Sequence, residues 1–323
     1  MRKTALALFA AVATVAACGG DFDPTSRITG LRVLAVRAQK GPAGARVDGT
    51  YAKPGDTISL EALWLDAKAG TRTTNWAWTI CVRPAAGTVL GCFQKLAQDA
   101  QKSGAPPPFA FGKERDRYEF TIPSDALDGV PAAARAGAIV GVVTVVCPGN
   151  LTVATQVNKN DLPLSCKDDA GNVVPNDDFI LGFKRIFLRT TDENKNPVLT
   201  GVTLDGKAWG PDDVLEVPAN CGADENRFDR CGGGGVSIVP TLDPSSFETG
   251  TDEFGTSYKE QLVVQYYANE GLFETDVRRA QDPLTKFALR SGKGGSEVRV
   301  FIVARDNRGG VSWLERKVKP AAK

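Results

Sequence analysis

The 323-residue chain carries 39 Lys and Arg against 38 Asp and Glu, a net charge of +1, and no histidine at all. The missing imidazole excludes Ser-His-Asp and Cys-His catalytic groups and imidazole metal sites, and the near-neutral balance without a long basic run gives no electrostatic footprint for nucleic acid. No Ser-x-x-Lys, Gly-x-Ser-x-Gly or phosphate-loop motif takes their place; Gly292-Lys293-Gly294-Gly295-Ser296 lacks the first glycine of a phosphate loop and reads as a flexible turn.

The chain opens on Arg2 and Lys3, runs apolar from Ala5 to Ala17 except at Thr14, and brings small residues up to Cys18. A run this short does not span a bilayer, so residues 1–17 read as a signal peptide. Val15-Ala16-Ala17-Cys18 resembles the bacterial lipobox. The resemblance implies cleavage between Ala17 and Cys18, diacylation of the Cys18 thiol with palmitate-type chains, and acylation of the new amine. Each buried methylene contributes about 0.8 kcal/mol, so two or three chains make a lasting membrane anchor. Gly19-Gly20-Asp21 lacks the aspartate that, directly after the cysteine, retains enteric lipoproteins in the inner membrane, and by that resemblance the outer membrane is expected. Residues 18–29 then read as a short polar, lipidated tether.

Setting Cys18 aside, the other six of the seven cysteines fall in three local couples: Cys81 with Cys92, Cys147 with Cys166, and Cys221 with Cys231. An exported chain without C-x-x-C or histidine favours disulfides over zinc, and no metal or cofactor site is expected. The sequential pairing rests on proximity. Loops of this size gain about 3 kcal/mol each when bridged.

From residue 30 the chain alternates in the period of half-buried strands. Leu31 to Val36 reads as a first strand. Lys53-Pro54-Gly55-Asp56 turns into Thr57 to Leu65, and Asn75 to Val82 follows with Trp76, Trp78 and Ile80 on one side. Those tryptophans are expected in the core, although facing outward they would make a sugar-stacking platform. Between Phe93 and Gly137 the pattern weakens into an insertion with a short helix over Leu96 to Lys102, a stiff Ala105-Pro106-Pro107-Pro108 loop and a strand over Arg117 to Ile122; long loops on a scaffold are candidate binding regions. Ala138 to Cys147 is apolar on both faces and central, and Phe179 to Thr190 closes the domain.

Thr191 to Pro197 reads as a linker between a first domain, 30–191, and a second, 198–320. Its Asp192-Glu193-Asn194-Lys195-Asn196-Pro197 is similar to the calcium-binding linker of cadherins, but Lys195 stands where a ligand aspartate belongs, and polar turn chemistry explains the same residues. In the second domain Asp205-Gly206 marks a two-residue hairpin. The acids Asp224, Glu225 and Asp229 between Cys221 and Cys231 read as a solvated loop. Pro240 demotes Val236 to Leu242 to an edge or a bulge. Glu260 to Ala268, Glu297 to Arg305 and Val311 to Val318 alternate cleanly, the last two joined by a turn over Asp306 to Gly310.

Short alternating strands with almost no helical period predict an all-β chain of two antiparallel sandwiches in tandem. The Pro54-Gly55-Asp56 turn and the tryptophan-bearing third strand resemble an immunoglobulin-like domain, although no cysteine precedes that strand as in antibodies. Tyr266 to Gly271 and the closing Arg305 to Gly310 hairpin are similar to PKD-like modules over roughly the last sixty residues. The expected protein is a membrane-anchored, non-catalytic envelope lipoprotein, with an unidentified envelope protein or glycan as partner and no nucleic acid. The alternative is a carboxylate-dependent hydrolase of envelope polysaccharide, a glycoside hydrolase using the acidic couples Asp177-Asp178 or Asp212-Asp213; neighbours on a strand, however, point to opposite faces.

Overall fold

Thr57-Ile58-Ser59-Leu60-Glu61-Ala62 shows why this chain is built of strands: Ile58, Leu60 and Ala62 are buried, and a period of two delivers them to one face. The structure is a computed structural model and describes residues 24–68, 72–105, 107–153, 164–175, 178–291 and 297–321. The signal segment, Ala17, Cys18, Asp177 and the Gly292–Ser296 turn lie outside the described residues.

In chain order the first half holds β1 (Leu31–Lys40), β2 (Val47–Asp48), β3 (Thr57–Asp66), β4 (Asn75–Val82), helix α1 (Val89–Ser103), β5 (Ala110–Lys113), β6 (Arg117–Thr121), β7 (Ile139–Cys147), β8 (Asn150–Val153), β9 (Leu164–Lys167) and β10 (Ile180–Phe187). The second half holds β11 (Leu199–Leu204), β12 (Lys207–Ala208), β13 (Val214–Val217), β14 (Ala219–Cys221), β15 (Val236–Leu242), β16 (Thr249–Thr251), β17 (Ser257–Lys259), β18 (Leu262–Ala268), β19 (Leu272–Phe273), β20 (Val277–Arg279), β21 (Thr285–Arg290), β22 (Val298–Asp306) and β23 (Val311–Pro320).

Sheet β2-β1-β3-β6 faces sheet β10-β7-β4-β5 across a core that includes Ile58, Leu60, Trp76, Trp78, Val140, Val142 and Ile186. Trp76 and Trp78 are fully buried, and their ring nitrogens donate to Thr74 Oγ1 at 3.1 Å and the Arg115 carbonyl at 2.9 Å. With both donors satisfied, each ring transfers about 4–6 kcal/mol of apolar area out of water, an upper bound. β7 is buried along its whole length because its outer face is covered as well: Val143 and Val145 pack with Ala77, Cys92 and Leu96 beneath α1. In the second half, sheet β12-β11-β15-β21-β14 faces sheet β13-β23-β22-β18-β20 across Trp209, Ile238, Tyr266, Phe287 and Ile302.

The two sandwiches are not separate beads. Leu34, Ala35, Leu63 and Leu65, on the outer face of β1 and β3, join Phe301, Val303 and Val311 from β22 and β23 in one apolar cluster. Four sheets are therefore stacked, with α1 outside the first. The interval 192–197 lies against both halves: Asn194 and Asn196 are buried, and Asn196 Nδ2 donates to the Ala38 carbonyl while its Oδ1 accepts from Val311 N. Nor do the described residues of the 18–29 tether hang free. Ser26, Arg27 and Ile28 are buried, and Ile28 N and the Ser26 carbonyl bond to Ala268 at the end of β18.

Three further elements differ from the sequence reading. The helix runs over Val89–Ser103, not Leu96 to Lys102: Thr88 caps it through Gly91 N, and Cys92 is buried under its first turns. β13 pairs with β23 and β14 with β21 in parallel, so the sandwich edges are not uniformly antiparallel. β15 is interior, between β11 and β21, but β21 pairs only with Val236 to Ile238; Pro240, whose nitrogen has no hydrogen to donate, lies beyond that pairing and beside the bulge between Leu199 and Gly201.

Candidate functional site

The three predicted bridges all close: Cys81–Cys92 with Cα atoms 5.5 Å apart, Cys147–Cys166 at 5.7 Å and Cys221–Cys231 at 4.3 Å. The first ties α1 to β4. The second closes the β8–β9 hairpin against β7. In the third loop two of the acids are held within the loop: Arg227 Nη2 lies 2.7 Å from Asp229 Oδ2, and Glu225 Oε1 accepts from the backbone N–H of Asn226 and Arg227.

Of the predicted acidic couples, Asp177 lies outside the described residues, and Asp178 and Asp213 are each held by other groups. Asp178 is gripped by Lys68 and Arg72, both at 3.0 Å, and although burial opposes it, those cations hold its carboxyl below the ordinary aspartate range. Asp213 accepts from Gly210 N at 2.7 Å in a turn. Trp76, Trp78 and Trp209 are buried, and Trp64 and Trp313 half-buried, so no exposed tryptophan row forms.

A site that sequence reading missed lies where the two sandwiches meet. It is centred on Arg308, in the turn between β22 and β23. Asp306 Oδ1 accepts from Arg308 N at 2.8 Å and Gly310 N at 2.7 Å, which closes the turn and aims the arginine inward. The Arg308 side chain is 9% exposed. Its Nη2 reaches Asp192 at 3.2 Å and the Glu193 carbonyl at 2.9 Å, its Nη1 reaches Glu260 at 3.3 Å and Glu248 at 3.4 Å, and its Nε donates to Tyr51 Oη at 3.2 Å. It also lies 3.7 Å from the centre of the Tyr258 ring. One cation thus joins the first sandwich, the interval 192–197, the β16–β17 hairpin and the β22–β23 turn.

The electrostatics follow from burial and from the count of charges. Burial first, then Asp306 and Glu248, push the Glu260 carboxyl up to about 7. Burial raises Glu248 as well. Burial works against the Arg308 charge, but Tyr51, Tyr258 and Asp192 outweigh it and raise its affinity for the proton. Beside the cluster, Glu253 accepts from the backbone N–H of Thr190, Thr191 and Asp192 at 2.9, 2.7 and 3.1 Å, and against the effect of burial these donors bring its carboxyl down to about 2. Lys184 donates to the Gly309 carbonyl, and burial, then Arg305, lower its ammonium to about 8.

No family model and no curated protein matches this chain. What the arrangement can do is read from its geometry. An open cleft of about 470 Å³ lies over the cluster, lined by Asp192, Glu193, Lys195, Glu248, Glu253 and Tyr258. Glu260, the carboxyl with the raised proton affinity, is 4% exposed and lies beneath the cleft rather than in its lining. Asp192 and Glu248 line it, but both are held by Arg308. The chemistry is that of a lock between elements, in which one guanidinium satisfies three carboxylates. Among the described residues no group of three metal-ligating side chains is poised for an ion, and no helix is long and apolar enough to cross a membrane. The only sequence signals for the lock are the turn residues Asp306 to Gly310 and Asp192-Glu193, and neither names its partner.

Proposed function

We propose that the chain is a non-catalytic envelope lipoprotein, acylated at Cys18 and carried to the outer membrane, whose immunoglobulin-like and PKD-like sandwiches serve as a binding or structural module. The observation that carries the reading is Val15-Ala16-Ala17-Cys18 behind a short apolar run. Three closed disulfides support an oxidising compartment outside the cytoplasm. The junction supports the non-catalytic part. A glycoside hydrolase needs two carboxyls about 5–10 Å apart with the scissile bond between them. Here Glu248 and Glu260 share one guanidinium nitrogen, and the acid that holds a proton near neutral pH is walled off from the cleft.

Fractionation of the native host tests the anchor. Wild-type protein should sediment with the outer membrane and leave it only with detergent, and Cys18→Ala should move it to the soluble fraction. Wild type already soluble, or a Cys18→Ala chain that stays membrane-bound, would defeat the proposal.

A further inference from the structure

We infer that, once Cys18 is acylated, the flank of the second sandwich formed by β20 and the turn 281–284 lies against the phospholipid headgroups; this rests on the lipid-anchor reading above. The described chain enters beside that flank. Ile28 N donates to the Ala268 carbonyl at 2.8 Å and Ala268 N to the Ser26 carbonyl at 2.9 Å, so residues 26–28 run parallel to the end of β18 along the edge that β20 leaves uncovered. Thr25 Oγ1 then donates to Asp276 Oδ2 at 3.2 Å, and Arg32 Nη1 to the Thr25 carbonyl at 2.8 Å. Thr25 is thereby fixed next to the residue that precedes β20.

From Pro24 back to Cys18 there are six residues, whose contour is at most about 22 Å. An acyl chain seated in a bilayer therefore keeps the headgroups within that reach of Pro24, which lies one residue from the Thr25–Asp276 contact. The flank is made for such a surface. Among the described residues β20 is an edge strand paired only with β18, and Val277 and Arg279, two residues apart, project from one face of it. Val277 is 47% exposed and Leu284 37%. Thr285 Oγ1 donates to the Thr275 carbonyl at 2.6 Å, which brings Leu284 beside the start of β20. Exposed apolar side chains next to a guanidinium suit the boundary between acyl chains and phosphates: the former enter the interface, and the latter donates to phosphate oxygen. α1 packs on the sheet of the first sandwich that faces away from the seam, two to three sheet spacings of about 10 Å from β20, and serves as the distant reference.

The test uses the lipidated full chain in vesicles of phosphatidylethanolamine and phosphatidylglycerol that carry a headgroup nitroxide lipid. A dye on Val277→Cys should be quenched several-fold more than the same dye on Gln101→Cys, an exposed position of α1. Hydrogen exchange of the unsubstituted lipidated chain should slow over 275–284 on vesicles and stay unchanged over 89–103. Equal quenching at the two positions, stronger quenching at 101, or unchanged exchange over 275–284 would overturn the inference. A native chain with no acyl mass would bring down anchor and flank together, whereas an acylated chain with an unquenched dye at 277 would bring down the flank alone.

Discussion

Glu253 lies in the turn of the β16–β17 hairpin and Glu260 directly after β17, and the two respond to pH in opposite senses. The folded Glu260 carboxyl titrates near 7, above its ordinary 4.5. Its ionisation therefore costs folded-state stability, and stability from this group rises as pH falls from 7 towards 4.5. Glu253 is held at about 2, below its ordinary 4.5, so its contribution is complete above 4.5 and is lost as pH falls through 2. Glu260→Gln should accordingly stabilise the chain at pH 8 more than at pH 5, measured by urea unfolding; an equal change at both values would contradict the assignment. Arg308→Ala removes the one cation shared by Asp192, Glu248 and Glu260 and should cost about 3–5 kcal/mol in the same assay, as breaking a buried charge cluster does. At this scale the disulfide partners were legible, because local cysteine spacing sufficed. Arg308 was not. Its partners come from residues 51, 192, 248 and 260, and nothing in a turn sequence states what lies beneath it.

The strands were the most legible elements. Asn75–Val82 matches the expected third strand, Ile139–Cys147 is buried on both faces as its unbroken apolar run required, and Asp205 and Gly206 both take positive φ in the β11–β12 hairpin, at 48° and 76°. α1 was only half visible. Its first turns contain Gly91 and Cys92, poor in helical signal, but a Cβ at position 91 would stand 2.1 Å from the Ala85 carbonyl oxygen, so glycine is what lets the helix start close under the preceding turn. Parallel pairing of β13 and β14 was invisible, because it joins residues far apart in sequence. The Cys81–Cys92 bridge anchors α1 on β4, and the double variant Cys81→Ala, Cys92→Ala should lose about 2–4 kcal/mol and show faster hydrogen exchange over Val89–Ser103. Unchanged exchange in the helix would mean that packing of Leu96 and Phe93 alone holds it.

At the scale of the whole molecule, the all-β class and two sandwiches could be read from alternation and turns, but their mutual packing could not, since a strand facing a second sandwich has the same period as one facing water. Leu34, Leu63 and Leu65 looked like ordinary apolar positions; they are the seam against Phe301, Val303 and Val311. Phe301 is fully buried there, and Phe301→Ala should cost about 3–5 kcal/mol. The wild-type chain should unfold in one calorimetric transition, and the variant should separate it into two; two transitions in the wild type would contradict the seam. The same packing gives the proposed anchor its meaning, because acyl chains on Cys18 would hold both sandwiches through residues 24–30 rather than one domain on a loose string. That proposed anchor depends on acylation at Cys18. Intact mass of the protein extracted from membranes of its native host, with and without reduction, tests it most directly: a chain beginning at Cys18, carrying the mass of two or three acyl groups and gaining six hydrogens on reduction of its three bridges, is the result expected. An unacylated chain, or one cleaved elsewhere, would contradict the account.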